Sequence, residues 1–171
     1  MGQKLIDIAV TVNGKTFERR VPPRMLLTDF LRQELHLTGT HVGCEHGVCG
    51  ACNVEFDGQT ARACLMFAVQ ADGADIKTVE SLGTIDNMHP LQKAFWEKHG
   101  LQCGFCTPGM LMTAKELLAA NPNPTREDVT EAISGNLCRC TGYQTIIDAV
   151  MSAAEAMRNM QNTQNEETAQ S

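Results

Sequence analysis

Eight cysteines, arranged as two groups of four, constrain this chain of 171 residues more than any other feature. The N-terminus lacks the basic and then apolar layout of a secretory signal. Pro22-Pro23 also follows Arg19-Arg20, where a twin-arginine signal would need a long apolar stretch. We therefore expect a cytoplasmic protein, whose cysteines in that reducing environment bind metal rather than form disulfides.

Composition argues against two kinds of partner. The formal net charge is -6, which is unsuited to a nucleic-acid-binding surface. No segment approaches the roughly 20 consecutive apolar residues that a transmembrane helix needs. We therefore expect neither nucleic acid binding nor a membrane span.

The first cysteine group has the spacing Cys-x4-Cys-x2-Cys with a more distant fourth member; it consists of Cys44, Cys49, Cys52 and Cys64. This is the spacing of plant-type 2Fe-2S sites. Glycines at 43, 47 and 50 interleave the cysteines, which lets the backbone approach an anionic cluster and direct N–H groups at its sulfurs. The alternatives are a zinc knuckle or simply buried cysteines, and both the spacing and the glycines disfavour them.

The second group joins a Cys-x2-Cys pair to a distant Cys-x-Cys pair; it consists of Cys103, Cys106, Cys138 and Cys140. Spacing alone leaves zinc open as an alternative to iron. Position favours iron, because Cys106 precedes a predicted helix start at Thr107-Pro108 and Cys140 precedes one at Thr141. Two helix N-termini would then direct free N–H groups at an anionic cluster.

The first half of the chain predicts a small mixed sheet with one helix laid across it. Residues 6–12 alternate apolar and polar side chains, Asn13-Gly14 favours a tight turn, and residues 15–21 form the return strand. Thr28 is expected to cap a helix that runs to Leu35. Asp57-Gly58 signals a second hairpin, which would bring Cys64 to its group.

Beyond Pro90 the apolar pattern is helical. The predicted helices cover residues 91–99, 107–120, 125–133 and 141–157. Thr107, Thr125 and Thr141 are the expected caps of the last three. Residues 158–171 are polar and rich in Gln and Asn, so a disordered tail is expected there.

Three short motifs contain every cysteine except Cys64: GCEHGVCGAC at residues 43–52, QCGFCTPG at 102–109 and GNLCRCTGY at 135–143. Together they resemble the iron–sulfur region of the xanthine oxidase family of molybdenum hydroxylases, over about residues 4–157. Asn53 departs from the threonine expected there. The resemblance implies an α+β fold: a ferredoxin-like β-grasp 2Fe-2S domain over residues 1–80, then a four-helix 2Fe-2S domain over 81–157, with 158–171 as the tail.

The resemblance also implies a role in a larger complex. The length matches the family's separate small subunit, which passes electrons from a molybdopterin centre in a large subunit through two 2Fe-2S clusters to FAD in a medium subunit. A hetero-oligomer is therefore expected, with a dimer of heterotrimers as one form. The chain has no dinucleotide-binding fingerprint and no nucleophile–base pair, so we expect no catalytic site of its own.

Gln102 is the residue outside the cysteines that the resemblance assigns to a cofactor. It is expected to hydrogen-bond the pterin held by the partner, and an ordinary polar loop residue is the alternative. Because Gln102 adjoins Cys103, the second cluster is expected to lie nearer molybdenum than the first. Arg139 is interpreted as a surface arginine or a subunit contact.

Two further alternatives concern ligands and function. His41 and His46 flank Cys44 and could ligate iron as in Rieske centres, but four cysteines make that unnecessary. A stand-alone two-cluster ferredoxin would be an isolated monomer. A zinc-stabilised interaction module would be colourless.

Overall fold

The computed structural model describes residues 4–169 of the chain, and the side chains of residues 4–165. Within this range the first half forms a five-stranded sheet with the order β2-β1-β5-β3-β4. The strands are β1 (Ile6–Val12), β2 (Lys15–Val21), β3 (Asn53–Phe56), β4 (Gln59–Arg62) and β5 (Asp75–Lys77). β1 and β5 are parallel, whereas the other neighbouring pairs are antiparallel, so the predicted mixed sheet is confirmed.

Both predicted hairpins are present. Asn13 and Gly14 have φ angles of 51° and 78°, and Asp57 and Gly58 have φ angles of 47° and 87°. Two successive positive φ angles match the right-handed twist of the strands that they join, and Asn-Gly and Asp-Gly adopt them at low cost. The β3–β4 hairpin carries one cysteine before it and one after it, which places both at the same end of the sheet.

One helical segment lies against the sheet. It consists of a helical turn, α1 (Leu27–Asp29), followed by a wider π-helical turn over Phe30–Glu34, and its apolar side chains are fully buried. The prediction that Thr28 caps this helix is wrong, because Leu26 holds the N-cap position. A β-bridge between Leu26 and Phe67 keeps Leu26 extended, so the helix starts two residues earlier than predicted.

The second half is helical. It contains α2 (Pro90–Glu97), α3 (Thr107–Ala120), α4 (Arg126–Ile133) and α5 (Gln144–Ala169). Thr125 caps α4 as predicted, since its Oγ1 accepts a hydrogen bond from the Asp128 N–H at 3.1 Å. The apolar side chains of α5 pack into the same core as those of α2, α3 and α4.

Two other predicted caps are wrong. Thr107 lies inside the first turn of α3, and Cys106 holds the N-cap position. Thr141 lies before α5, which begins only at Gln144. The Thr141 Oγ1 accepts from the Tyr143 N–H at 3.1 Å and lies 3.2 Å from the Cys138 Sγ, so local contacts with the cysteine loop occupy the hydroxyl.

The tail differs from its prediction. Residues 158–171 were expected to be disordered, but α5 continues without interruption to Ala169; residues 170 and 171 lie outside the described part. Arg158 Nη1 donates to the Pro122 carbonyl at 2.9 Å and anchors the helix where its apolar stripe ends. Adding residues to a helix that is already nucleated costs little, so a polar segment can continue it.

The sheet and the helices bury separate apolar cores. A short turn over Val79–Ser81 connects them and spans the proposed boundary at residue 80. The exact division of the chain into domains stays a prediction. In the described part of the chain, no helix is both long and apolar enough to cross a membrane.

Candidate metal centres

The first cysteine group occupies the loop between α1 and β3, and the β3–β4 hairpin returns its fourth member to that loop. Cys52 immediately precedes β3, and Cys64 lies in the turn that follows β4. The Ala63 N–H donates to the Cys52 carbonyl at 3.3 Å, which ties the two cysteine segments together. The hairpin therefore returns Cys64 to Cys52, as predicted, and the Cys49 thiol interacts with those of both Cys44 and Cys52.

Backbone N–H groups in this loop are directed at sulfur. The N–H groups of His46 and Cys49 both lie 3.4 Å from the Cys44 Sγ. These hydrogen bonds lower the pKa of Cys44 to about 6, because they stabilise its thiolate. Burial works in the opposite direction at Cys52 and raises its pKa to about 11. Bound iron would have to offset that cost, since the thiolate is the form that binds metal.

Glycine is sterically required in this loop. A Cβ atom on Gly43 would lie 3.1 Å from the Cys49 Sγ. Gly47 and Gly50 have φ angles of 74° and 73°, and a Cβ atom on Gly50 would lie 2.7 Å from the Gly135 carbonyl oxygen. The glycines therefore allow close approach to the sulfurs, as predicted, and also to the helical half.

The second group is assembled from the segments that precede α3 and α5. Cys103 and Cys140 contribute exposed thiols whose sulfur atoms are 3.5 Å apart. Cys106 is buried, which raises its pKa to about 12. Cys138 is half-buried; burial opposes ionisation, but hydrogen bonds with Thr141, Cys140 and Cys106 together outweigh it and lower the pKa of Cys138.

In the described part of the chain, α3 is the only helix whose N-terminus directly adjoins the second group. α3 begins immediately after Cys106, as predicted, whereas α5 begins at Gln144. The intervening turn contains positive φ angles at Gly142 and Tyr143, and the Cys138 N–H donates to the Tyr143 hydroxyl at 3.0 Å. The expectation of two converging helix N-termini is thus met by α3 alone.

Both groups suit a 2Fe-2S cluster in donor chemistry. Each offers four thiols, every one of which interacts with at least one other thiol of its group, next to glycines that admit a bulky anionic core. Among the described residues, no three or more His, Cys, Asp or Glu side chains are grouped closely enough to bind a single metal ion.

The two histidines have backbone partners. His46 Nδ1 hydrogen-bonds the Cys44 carbonyl, and His41 Nδ1 lies 2.8 Å from the Phe105 carbonyl oxygen. The His41 ring also stacks on Phe105, with centroids 5.0 Å apart. These contacts give the histidines a role in holding loops together and leave the cysteines as the candidate ligands. Gln102 and Arg139 are both exposed beside the second group.

Direct contact between the two cysteine loops is the feature that sequence reasoning missed. The Leu137 N–H donates to the Cys49 carbonyl at 2.9 Å. A Cβ atom on Gly109 would lie only 2.0 Å from the Gly50 carbonyl oxygen. The glycines beside the cysteines were a signal for close packing, but the sequence did not indicate that they would pack against each other.

Comparison with protein families agrees with this two-site architecture. Residues 10–77 match the family model described as a 2Fe-2S iron-sulfur cluster binding domain. Residues 78–151 match the model described as a 2Fe-2S binding domain. The predicted pair of 2Fe-2S sites is confirmed at the level of domains.

Two similar proteins are named as subunits of enzymes. The gamma subunit of caffeine dehydrogenase from Pseudomonas sp. (strain CBB1) is 60% identical, over 86% of this chain and 90% of that protein. The small subunit of nicotine 6-hydroxylase from Paenarthrobacter nicotinovorans is 54% identical, over 90% and 93%.

Solved structures show the same fold. A chain of quinoline 2-oxidoreductase from Pseudomonas putida 86 aligns with a TM-score of 0.87 at 53% identity, covering 91% of this chain and 98% of that one. An aldehyde oxidoreductase from Desulfovibrio gigas aligns with a TM-score of 0.86 at 49% identity, but over only 17% of its longer chain. The predicted α+β fold, with a ferredoxin-like part followed by a helical part, is confirmed. The chain thus belongs to the iron–sulfur subunits of the xanthine oxidase family of molybdenum hydroxylases.

Proposed function

We propose that this chain passes electrons from a molybdopterin centre in a large subunit, through its own two 2Fe-2S clusters, to FAD in a medium subunit. Family membership already assigns it an electron-transfer role in an oxidoreductase, without a catalytic site of its own. The observation that carries the finer proposal is the direct contact between the two cysteine loops.

We assign the ligands by group. The first cluster would be held by Cys44, Cys49, Cys52 and Cys64, and the second by Cys103, Cys106, Cys138 and Cys140. A bound 2Fe-2S cluster supplies one-electron redox chemistry. The chain's own part is to hold the thiolates and to stabilise negative charge on sulfur with N–H donors such as those of His46 and Cys49.

The contact between the loops gives a short route between the two ligand sets. It runs from Cys49 through its carbonyl to the Leu137 N–H at 2.9 Å, and Leu137 is bonded to Cys138. A single hydrogen bond therefore connects the backbone of Cys49, in the first group, to the backbone of Leu137, the neighbour of Cys138 in the second group. This arrangement supports sequential transfer rather than two independent sites.

The direction of transfer rests on Gln102. Its exposed amide adjoins the exposed Cys103, so a molecule bound there would lie beside the second cluster. An amide offers two donors and one acceptor, which matches the mixed hydrogen-bonding edge of a pterin. We therefore assign the second cluster to the molybdenum side and the first to the flavin side.

Partner surfaces accompany both sites. Val48 and Leu65 are apolar and about 60% exposed beside the first group, and Phe105 and Leu137 are about half exposed beside the second. Apolar side chains clustered at redox sites favour coverage by protein. Two relatives are themselves named as the gamma subunit and the small subunit of their enzymes, which supports a hetero-oligomer.

Native purification tests the proposal. The complex should contain molybdenum and flavin, with iron and labile sulfide equivalent to two 2Fe-2S clusters per copy of this chain. Stoichiometric zinc in a colourless chain would support the interaction-module alternative. A free monomer with no associated molybdenum or flavin would support the ferredoxin alternative.

Gln102→Ala tests the direction. In the complex, it should weaken cofactor retention or slow reduction of the second cluster, while the spectrum of the first stays unchanged. Gln59→Ala, at an exposed hairpin position, is the matched control. Magnetic coupling to Mo(V), measured by electron paramagnetic resonance, should be strongest for the second cluster. Stronger coupling to the first cluster would reverse the assignment.

A further inference from the structure

The Arg62 guanidinium lies where the two halves of the molecule meet. Its Nε donates to the Gly47 carbonyl at 3.1 Å, in the first cysteine loop. Its Nη2 donates to the Gly135 carbonyl at 2.6 Å, in the segment that leads to Cys138. A third hydrogen bond runs from Nη1 to the Asn53 side-chain oxygen. The Arg62 side chain is thus hydrogen-bonded to both cysteine loops.

Asn53 extends this contact into the helical half. Its Nδ2 donates to the Thr113 Oγ1 at 2.8 Å and to the Asn136 Oδ1 at 3.4 Å. The Asn136 Nδ2 donates back to the Gly50 carbonyl at 3.2 Å. Asn53 and Asn136 are each only 2% exposed, so water does not compete for these groups. We call Arg62, Asn53, Thr113 and Asn136 the joint network.

The residue types at the joint are specific in their chemistry. A guanidinium is planar and has five N–H donors in fixed positions, so it can donate to three separate oxygens. The compact ammonium group of lysine cannot reproduce this geometry. The Asn53 amide accepts from Arg62 and donates to two groups on the other side. Threonine, which the family resemblance suggested at position 53, has only one hydroxyl and cannot make this set of bonds.

Every member of the network outside α3 lies close in sequence to a cysteine. Asn53 follows Cys52, and Arg62 precedes Cys64 by one intervening residue. Asn136 is separated from Cys138 by Leu137, the residue that donates to the Cys49 carbonyl. A shift of the joint would therefore move both ligand sets relative to each other.

Arg62 also brings an unneutralised charge to the joint. In the described part of the chain, its hydrogen-bond partners are all neutral oxygens and it forms no ion pair with a carboxylate. A fixed cation next to anionic clusters favours their reduced, more negative state.

We propose that Arg62 is a positioning residue for electron exchange between the two clusters: through Asn53 and Asn136 it fixes the relative placement of the two cysteine loops, and its charge raises both reduction potentials. This inference rests on the proposed function, in that each cysteine group holds a cluster. The exchange itself is a one-electron oxidation of one cluster coupled to a one-electron reduction of the other.

The test compares variants of the cluster-loaded protein. Arg62→Met removes both the positive charge and the three hydrogen bonds of the guanidinium. Arg62→Lys keeps the charge alone, and Asn53→Thr removes the amide. Arg20→Met is the control, because Arg20 forms an ion pair with Asp7 in which both side chains are more than two thirds exposed, on another edge of the sheet. Iron content is measured first, to establish that each variant holds both clusters.

Electron paramagnetic resonance of the fully reduced protein then reports the spin–spin interaction between the clusters. We expect all three joint variants to change or lose this interaction while each cluster's own signal persists. Both potentials should fall in Arg62→Met and stay near wild type in Arg62→Lys. The control should match wild type in both measurements.

Different failures have different meanings. Unchanged spin–spin interaction and potentials in Arg62→Met, with only a lower melting temperature, would overturn the inference and leave Arg62 a structural residue. If Arg62→Met does not retain clusters, Arg62→Lys and Asn53→Thr decide in the same way through their spin–spin interaction. A wild-type chain without clusters would instead overturn the proposed function, and this inference with it.

Discussion

The two cysteine sites are built in opposite ways. The first lies on one loop and one hairpin, with Cys52 and Cys64 buried and N–H groups already directed at Cys44. The second joins the segments before two helices, and Cys103 and Cys140 are exposed. A site formed by local backbone geometry can hold its shape alone, whereas a site formed between helices depends on how those helices pack.

The packing that the second site needs includes the surface of the first. Residues 135–137 and the first turn of α3 rest on the outside of the loop that contains Cys49 and Gly50. The second site should therefore depend on the first site more than the first depends on the second. Three experiments, taken in order of decreasing expected effect, test how the two halves depend on each other.

Gly109→Ala should have the largest effect. Its Cβ atom would lie 2.0 Å from the Gly50 carbonyl oxygen and 3.2 Å from the Ala51 Cα, and these are backbone atoms that no rotamer change can move. We expect a loss of about 3 kcal/mol or more in the free energy of unfolding. The second cluster should be lost while the first is retained, measured by thermal unfolding, iron content and electron paramagnetic resonance.

Gly58→Ala is the control for that experiment, because nothing lies within 4 Å of the added atom at this hairpin position. Its positive φ angle should cost only about 1 kcal/mol. A Gly109→Ala protein that retained both clusters at the wild-type melting temperature would contradict the close packing of the two halves.

Removing one ligand from each site compares the two directly. Cys52→Ala should cost about 2 kcal/mol more than Cys140→Ala in the free energy of unfolding, because Cys52 is fully buried and Cys140 is exposed. Cys52→Ala should also weaken both clusters, while Cys140→Ala should affect the second alone. Iron content and the two cluster spectra measure this. If Cys140→Ala also removed the first cluster, the one-way dependence would be wrong.

Glu55→Gln should have the smallest effect and a defined pH dependence. Glu55 on β3 forms ion pairs with Lys77, at 2.7 Å, and with Lys115 on α3, so it links the two halves at a second place. Its burial works to raise the pKa of Glu55, but the hydrogen bonds from Lys115 and Lys77 outweigh it and hold the pKa below 4.5. We expect the variant to lose about 1 to 2 kcal/mol near neutral pH.

That loss should depend on pH in one direction. A carboxylate whose pKa is lowered by folding contributes its full stability above the unfolded pKa and loses it as the pH falls through the folded pKa. The difference in melting temperature between wild type and Glu55→Gln should therefore be constant above about pH 5 and shrink in more acid solution. Glu18→Gln, at an exposed position on β2, is the control. A difference that grew on acidification would contradict the assigned pKa direction.

Local chemistry explains what the sequence predicted well. Asn13-Gly14 and Asp57-Gly58 need specific φ angles, and Thr125 finds its capping partner three residues along the chain. The cysteine spacing is likewise local within each pair. Each of these features depends on a few neighbouring residues, so it can be predicted from the sequence without knowledge of the fold.

The misses have different causes. Thr28 is not a cap because a long-range bridge between Leu26 and Phe67 fixes the residue before α1. Thr141 is not a cap because its hydroxyl makes local contacts with Tyr143 and Cys138. The joint network links Asn53 and Asn136 across 83 positions of sequence. No sequence pattern predicts such a contact, because the contact depends on how two separate apolar cores pack together.

The near-contact of Gly50 and Gly109 also limits modularity. The two halves match different domain families, over residues 10–77 and 78–151, which would suggest interchangeable parts. Yet each half contributes one glycine to a backbone approach that leaves no room for a Cβ atom on residue 109. A chimera that joined this sheet domain to a helical domain with any other residue there would have to dock the halves differently. The two domains should therefore be inherited and engineered as a pair.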